Sequence, residues 1–158
     1  MVFIEGLGEE EKLEGLEKLT DGEIRLKLTG RAEENPKKGY LPAYYFDIVR
    51  ISDGARVGTC DLRGGENEGS KWGGNVGYTV FKPFRGRSFA AKACKLLFKL
   101  AVLHEMGEVR ITCSPENIAS NRTCEKLGLE FLGRLPLPPE SEMYKRGRRE
   151  SCIYLWKF

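Results

Sequence analysis

Between Asn75 and Cys113 the chain changes its period twice. Asn75 to Phe81 alternates as a strand does, and Pro83, which cannot donate to a ladder, ends the pairing there. From Ser88 to Met106 apolar residues recur at helical spacing. Phe89, Ala93, Leu96, Leu97, Leu100, Ala101 and His104 share one face, with Lys92, Lys95 and Lys99 outside. Gly107 follows the last turn as a C-cap does, and Glu108 to Cys113 reads as a strand again. A one-sided helix between two strands needs a sheet to lie on, so the fold class is mixed α/β.

The flanking segments fit that class. Glu9 to Leu19 spaces Leu13, Leu16 and Leu19 as a short amphipathic helix, Thr20-Asp21-Gly22 breaks it, and Glu23 to Leu28 alternates as a strand. Asn35 to Gly39 marks a loop. Tyr44 to Ile51 and Val57 to Leu62 form a hairpin about Ser52-Asp53-Gly54, and Gly64 to Gly74 is a glycine-rich polar loop. Ile118 to Leu127 is a short helix closed by Gly128. Leu129 to Leu132 and Ser151 to Phe158 are strands separated by the loop Pro136-Leu137-Pro138-Pro139. The order suits one central, mostly antiparallel twisted sheet flanked by helices, and the 158 residues are expected to form a single domain, 1–158.

Charge and cysteine usage narrow the function. A formal net charge of +3 is too small to imply nucleic-acid binding. The one dense basic run, Lys145 to Arg149, is ended by Glu150 and reads as a solvated hairpin tip. The start carries no signal peptide and no stretch is long enough for a membrane span, so a cytoplasmic protein is expected. Cys60, Cys94, Cys113, Cys124 and Cys152 include no CxxC pair and read as small buried hydrophobes. His104 is the only histidine, which excludes a multi-histidine metal centre and a Ser-His-Asp triad; no metal is expected.

The segment from Val80 to Ala91 runs from a strand straight into a helix. A helix N-terminus offers unpaired N–H groups and about half a positive charge, and so attracts anions. Gly86 lets backbone approach a ligand, Arg85 and Arg87 add charge, and Ala90 and Ala91 keep the first turn uncluttered. The spacings of a P-loop and of a dinucleotide fold are both missing.

Three blocks resemble the GNAT superfamily of N-acetyltransferases, in particular its RimJ/RimL-like branch. Gly77-Tyr78-Thr79-Val80 leads to Arg85-Gly86-Arg87-Ser88-Phe89-Ala90, similar to the family's [QR]-x-x-G-x-[GA] loop. Pro115 to Asn121 is similar to its N-x-x-S segment, and Glu125-Lys126-Leu127-Gly128-Leu129 to its E-K-L-G-F ending. The resemblance implies acetyl-CoA as co-substrate. It implies that Val80, Phe81 and Lys82 pair by backbone with the pantetheine arm and that Arg85, Gly86, Arg87, Ser88, Phe89 and Ala90 hold the pyrophosphate. Asn117 and Ser120 would face the cofactor near its sulfur, although asparagine is also an ordinary helix N-cap. The family's middle glycine is Ser88 here, whose hydroxyl is expected to donate one more hydrogen bond to a phosphate. Asn75 stands where relatives often place a glutamate. Only a short loop separates Leu28 from Tyr44, where many relatives put helices that wall the acceptor site.

Acyl transfer from a thioester to an amine needs a neutral amine, a donor for the developing oxyanion and a proton for the departing thiolate. A backbone N–H beside Val80 is the expected oxyanion donor. The acid is Ser120, as in the RimL-like branch, or a tyrosine, Tyr154 or Tyr144. Asp61, Glu66 and Glu68 are open as bases acting through water, beside a water chain with no dedicated base. No Cys-His pair is visible, so direct attack in a ternary complex is expected. The acceptor is a small-molecule amine or a protein N-terminus, with no nucleic acid or membrane as partner, and open strand edges near the C-terminus allow a homodimer. The alternative is a CoA-binding regulatory module on the same fold whose catalysis has lapsed through Ser88 and Asn75.

Overall fold

The strands pair into two sheets, where one was expected. In the computed structural model, which describes residues 19–158, β1 (Ile24–Ala32), β2 (Ala43–Arg50), β3 (Arg56–Arg63) and β4 (Val76–Val80) form an antiparallel sheet in that order. β5 (Glu108–Cys113), β6 (Glu130–Pro136) and β7 (Glu150–Lys157) form a second sheet, ordered β5-β7-β6. The helix expected over Glu9 to Leu19 lies, apart from Leu19, outside the described residues.

The two sheets are pinned together at the start of β4. Asn75 N donates to Arg110 O at 2.7 Å, and Arg110 N donates back to Asn75 Oδ1 at 2.9 Å. Asn75 Nδ2 binds the carbonyls of Arg63 and Gly65 at 3.1 and 2.9 Å. Beside it Gly74, at φ 73, lets the chains approach: a Cβ there would lie 2.8 Å from Arg110 O. Beyond this point, no backbone hydrogen bond joins β4 to β5 among the described residues. Arg63 N bonds Asn75 O and Phe81 N bonds Val57 O, which fixes the narrow pairs of the β3–β4 ladder. In an antiparallel ladder such pairs alternate, so the N–H and C=O groups of Tyr78 and Val80 point away from β3 into the gap.

The first sheet gets its core from α2 (Phe89–Leu103), which packs on β1, β3 and β4. Leu96, Leu97 and Leu100 are buried against Ile24, Phe46 and Leu62, each contributing about 1.5–3 kcal/mol. Lys95 and Lys99 stay exposed, as the spacing requires. The C-cap differs from expectation. Glu105, not Gly107, takes the left-handed conformation, at φ 55. Its N–H bonds Val102 O at 2.9 Å, and Met106 N bonds Ala101 O at 3.0 Å. A side chain in this region costs about 1 kcal/mol or more. Glu105→Gly is therefore expected to stabilise the fold by about 0.5–1 kcal/mol in urea unfolding. A loss of stability would show that the Glu105 side chain has a role of its own.

Three short elements gather around the outer end of the β4–β5 gap. The expected loop from Gly64 to Gly74 contains a helix, α1 (Glu68–Gly73), started by a capping box: Ser70 N bonds Asn67 Oδ1 at 2.7 Å, and Asn67 N bonds Ser70 Oγ at 2.9 Å. Asn67 Nδ2 also holds Gly39 O at 2.8 Å, fastening the tight turn over Pro36–Lys38 to α1. In the β6–β7 connection α4 (Glu142–Lys145) ends on the first residue of the basic run, which is partly engaged: the Arg149 guanidinium lies 3.9 Å from the Tyr144 ring centroid. α3 (Ile118–Lys126) ends at Gly128, in the left-handed region at φ 69. Among the described residues no helix is long and apolar enough to cross a membrane.

Candidate active site

The gap between β4 and β5 leads at one end to the start of α2. Val80 closes β4, Phe81 N still bonds Val57 O at 2.9 Å, and Lys82–Phe84 makes one tight helical turn. Arg85, Gly86 and Arg87 follow, all exposed, with Gly86 at φ 82. Arg85 Nε donates to Val80 O at 2.9 Å, so this guanidinium rests on the strand end. Ser88 is the N-cap of α2 but makes no capping bond: it sits at φ 62, in the region a glycine would favour. Its Oγ accepts from Lys126 Nζ at the end of α3. Phe89 is buried and Ala90 half-buried, leaving the first amides of α2 without side-chain caps.

Between the sheets lies a cavity of about 830 Å³. Tyr78, Ser120, Trp72, Tyr40, Met143 and Arg148 are among its lining residues. Tyr78 OH and Ser120 Oγ are 2.6 Å apart, bridging from β4 to α3. Ser120 is held there by its position in the first turn of α3, where Asn117 Oδ1 accepts from Ser120 N at 3.1 Å. Asn117 thus acts as the helix cap, and it also lines the cavity. Burial holds the Tyr78 phenol well above the ordinary tyrosine range, against the lowering effect of the Ser120 hydrogen bond, so it stays protonated.

The tyrosines expected as alternative acids lie elsewhere. Tyr154 OH donates to Asn121 Oδ1 at 2.8 Å, and burial pushes this phenol up to about 12. Tyr144 carries Arg149 on its ring. Of the three, only Tyr78 lines the cavity with Ser120. Its signal was the alternation of β4, in which Tyr78 shares a side with Val76 and Val80. Cys113 also lines the cavity. A hydrogen bond from Cys124 draws its thiol down against the effect of burial, with Ser120 adding to the lowering.

The acidic candidates divide. Asp61 lies over Gly77 and pairs with Arg63 at 3.2 Å, and its burial raises its carboxyl above the usual range. Glu66 lines a smaller pocket with Asn75 and Glu108. Glu68 lines the large cavity, as do Glu140 and Glu142 from the β6–β7 connection. His104 lies against Tyr44, with ring centroids 5.1 Å apart.

The profile described as "Acetyltransferase (GNAT) domain" matches residues 9–130, and the chain belongs to that family. Solved structures share its fold. An acetyltransferase (GNAT family) from Bacillus anthracis is 19% identical, with 72% of this chain and 65% of that one covered at a TM-score of 0.59. Ribosomal-protein-S5-alanine acetyltransferase from Vibrio fischeri is 16% identical, over 73% and 61% of the two chains, at 0.57. The microcin C7 self-immunity acetyltransferase MccE, solved with acetyl-CoA and AMP, is 18% identical over 73% and 61%, at 0.58. The chain spans less than two thirds of the length of each of these three structures. No curated protein matches it.

Proposed function

We propose that the chain transfers an acetyl group from acetyl-CoA to a primary amine by direct attack in a ternary complex. The observation that carries this is the inner edge of β4, which has no partner strand among the described residues and joins the Tyr78–Ser120 pair to the N-terminus of α2. A strand edge with no neighbouring strand suits the amides of a pantetheine arm, and an uncapped helix start with Arg85 and Arg87 beside it suits a diphosphate. Val80, Phe81 and Lys82 would hold the arm, and Arg85 to Ala90 the diphosphate. When bound, acetyl-CoA supplies a thioester whose C–S bond is exchanged for a C–N bond to the amine.

The chain's own groups then have separate tasks. The Tyr78 or Val80 backbone N–H, aimed into the gap, is available to the developing oxyanion. Ser120 passes a proton to the departing sulfur and takes up the surplus proton of the attacked amine. Tyr78, kept protonated by burial, fixes the orientation of the Ser120 hydroxyl. Glu68, Glu140 and Glu142 line the cavity beside Lys38, Arg63 and Arg148, so carboxylates are at hand to meet an ammonium group among charges of both signs. His104, half-buried against Tyr44, does not line the cavity that Cys113 lines, which supports direct attack over an acyl-cysteine route.

The acceptor we propose is a small-molecule amine or a protein N-terminus; the S5-alanine enzyme, by its name, acts on a ribosomal protein. Five free, buried thiols suit a reducing compartment such as the cytoplasm. The test is calorimetry with acetyl-CoA, followed by a thiol-release assay across peptides with free N-termini and small amines. Saturable heat and amine-dependent release are expected. Binding with no turnover on any amine would refute the catalytic reading.

A further inference from the structure

Ser88 occupies a position that its backbone conformation reserves for glycine, and its hydroxyl is taken by a lysine from another helix. At φ 62 a serine is strained, and it caps none of the α2 amides it precedes. Its Oγ instead accepts from Lys126 Nζ, reaching over from the last turn of α3. A lysine in a last turn ordinarily favours its own helix's carbonyl end. Lys126 leaves that end and sets its ammonium beside the positive end of α2. No carboxylate pairs with it among the described residues. An uncompensated cation held beside Arg87 and the α2 amides is unfavourable alone and favourable once an anion lies between them.

We infer that Lys126 is an anion-binding residue of the acyl-carrier site, gripping the diphosphate from α3 while the amides of α2 hold it from the other side. The inference rests on the reading given under Proposed function. An ammonium has three N–H donors. One is spent on Ser88 Oγ, and two remain for phosphate oxygens. The Ser88 hydroxyl, with its acceptor side used by Lys126, keeps its own proton for the same anion. The serine and the lysine thus form one unit, and the left-handed strain at Ser88 places its oxygen within reach of both. The diphosphate would also tie α3 to α2. Because α3 carries Ser120 in its first turn and Lys126 in its last, the grip on the phosphates steadies the helix that presents the acid.

The experiment is calorimetric titration of the full chain, Lys126→Ala and Lys126→Arg with CoA and with dephospho-CoA, which keeps the diphosphate but lacks the 3′-phosphate. Lys126 is exposed, so the unliganded variants should melt with the wild type. For Lys126→Ala the expected result is a dissociation constant about tenfold higher for both compounds, narrowing as salt is added. Lys126→Arg should remain within about threefold of wild type. Unchanged affinity in Lys126→Ala overturns the inference while leaving the function standing. A loss confined to CoA moves the contact to the 3′-phosphate and overturns the diphosphate assignment. Absence of heat with the wild-type chain overturns the functional reading and this inference together.

Discussion

Gly86→Glu is expected to raise the dissociation constant for acetyl-CoA by at least about 100-fold. Two effects act at this position and can be separated. The backbone stands at φ 82, so any side chain carries a conformational cost of about 1–2 kcal/mol, or roughly 2–8 °C in melting temperature. A Cβ would meet nothing within 4 Å, so the substitution does not disturb packing. The glutamate adds a negative charge at the place read as a diphosphate cradle, where like charges repel strongly. Gly86→Ala carries the same backbone cost without the charge, and should bind within a few-fold of wild type. Calorimetry on the pair decides the matter. Equal affinities in Gly86→Glu and Gly86→Ala would place the anion elsewhere.

Ser120→Ala should lower kcat by about 100-fold while changing the KM for acetyl-CoA by less than about threefold. The side chain is buried, bonded to Tyr78 and backed by the Asn117 cap, so the loss is one of proton transfer rather than of binding. Tyr78→Phe should cost about tenfold in kcat, because Ser120 survives but loses its orientation. Since the Tyr78 phenol stays protonated, its replacement should leave the pH–rate profile in place. Steady-state kinetics on both variants would show this. A kcat for Ser120→Ala within about twofold of wild type would mean that the sulfur takes its proton from another source.

The features legible in the sequence were those written in side-chain periodicity. The buried face of α2, the β5 alternation and the Asn117–Ser120 spacing all lie where the pattern placed them. What escaped was set by polar side chains acting on backbone. α1 hides in a glycine-rich stretch because a reciprocal pair of bonds between Asn67 and Ser70 starts it, and hydropathy carries no trace of that. The division into two sheets depends on which strand accepts the amides of Tyr78 and Val80, a choice to which alternation is blind. Tyr78 reads as packing until Ser120, far along the chain, is found 2.6 Å away. The left-handed backbone at Ser88 was visible only as a departure from a glycine pattern, and Lys126 only as a member of the E-K-L-G block.

Asn75 has a consequence for the chemistry. Where relatives often carry a carboxylate, this side chain is fully occupied as a fastener, holding two carbonyls and one amide at the mouth of the sheet. No proton can be taken up there. On the reading proposed above, deprotonation falls to water, to a carboxylate that lines the cavity such as Glu68, or to the low basicity of the acceptor itself. At neutral pH about one in ten α-amino groups is uncharged, against fewer than about one in a thousand lysine side chains. On that reading, weakly basic nucleophiles would be favoured by abundance of the reactive form, before shape has any say.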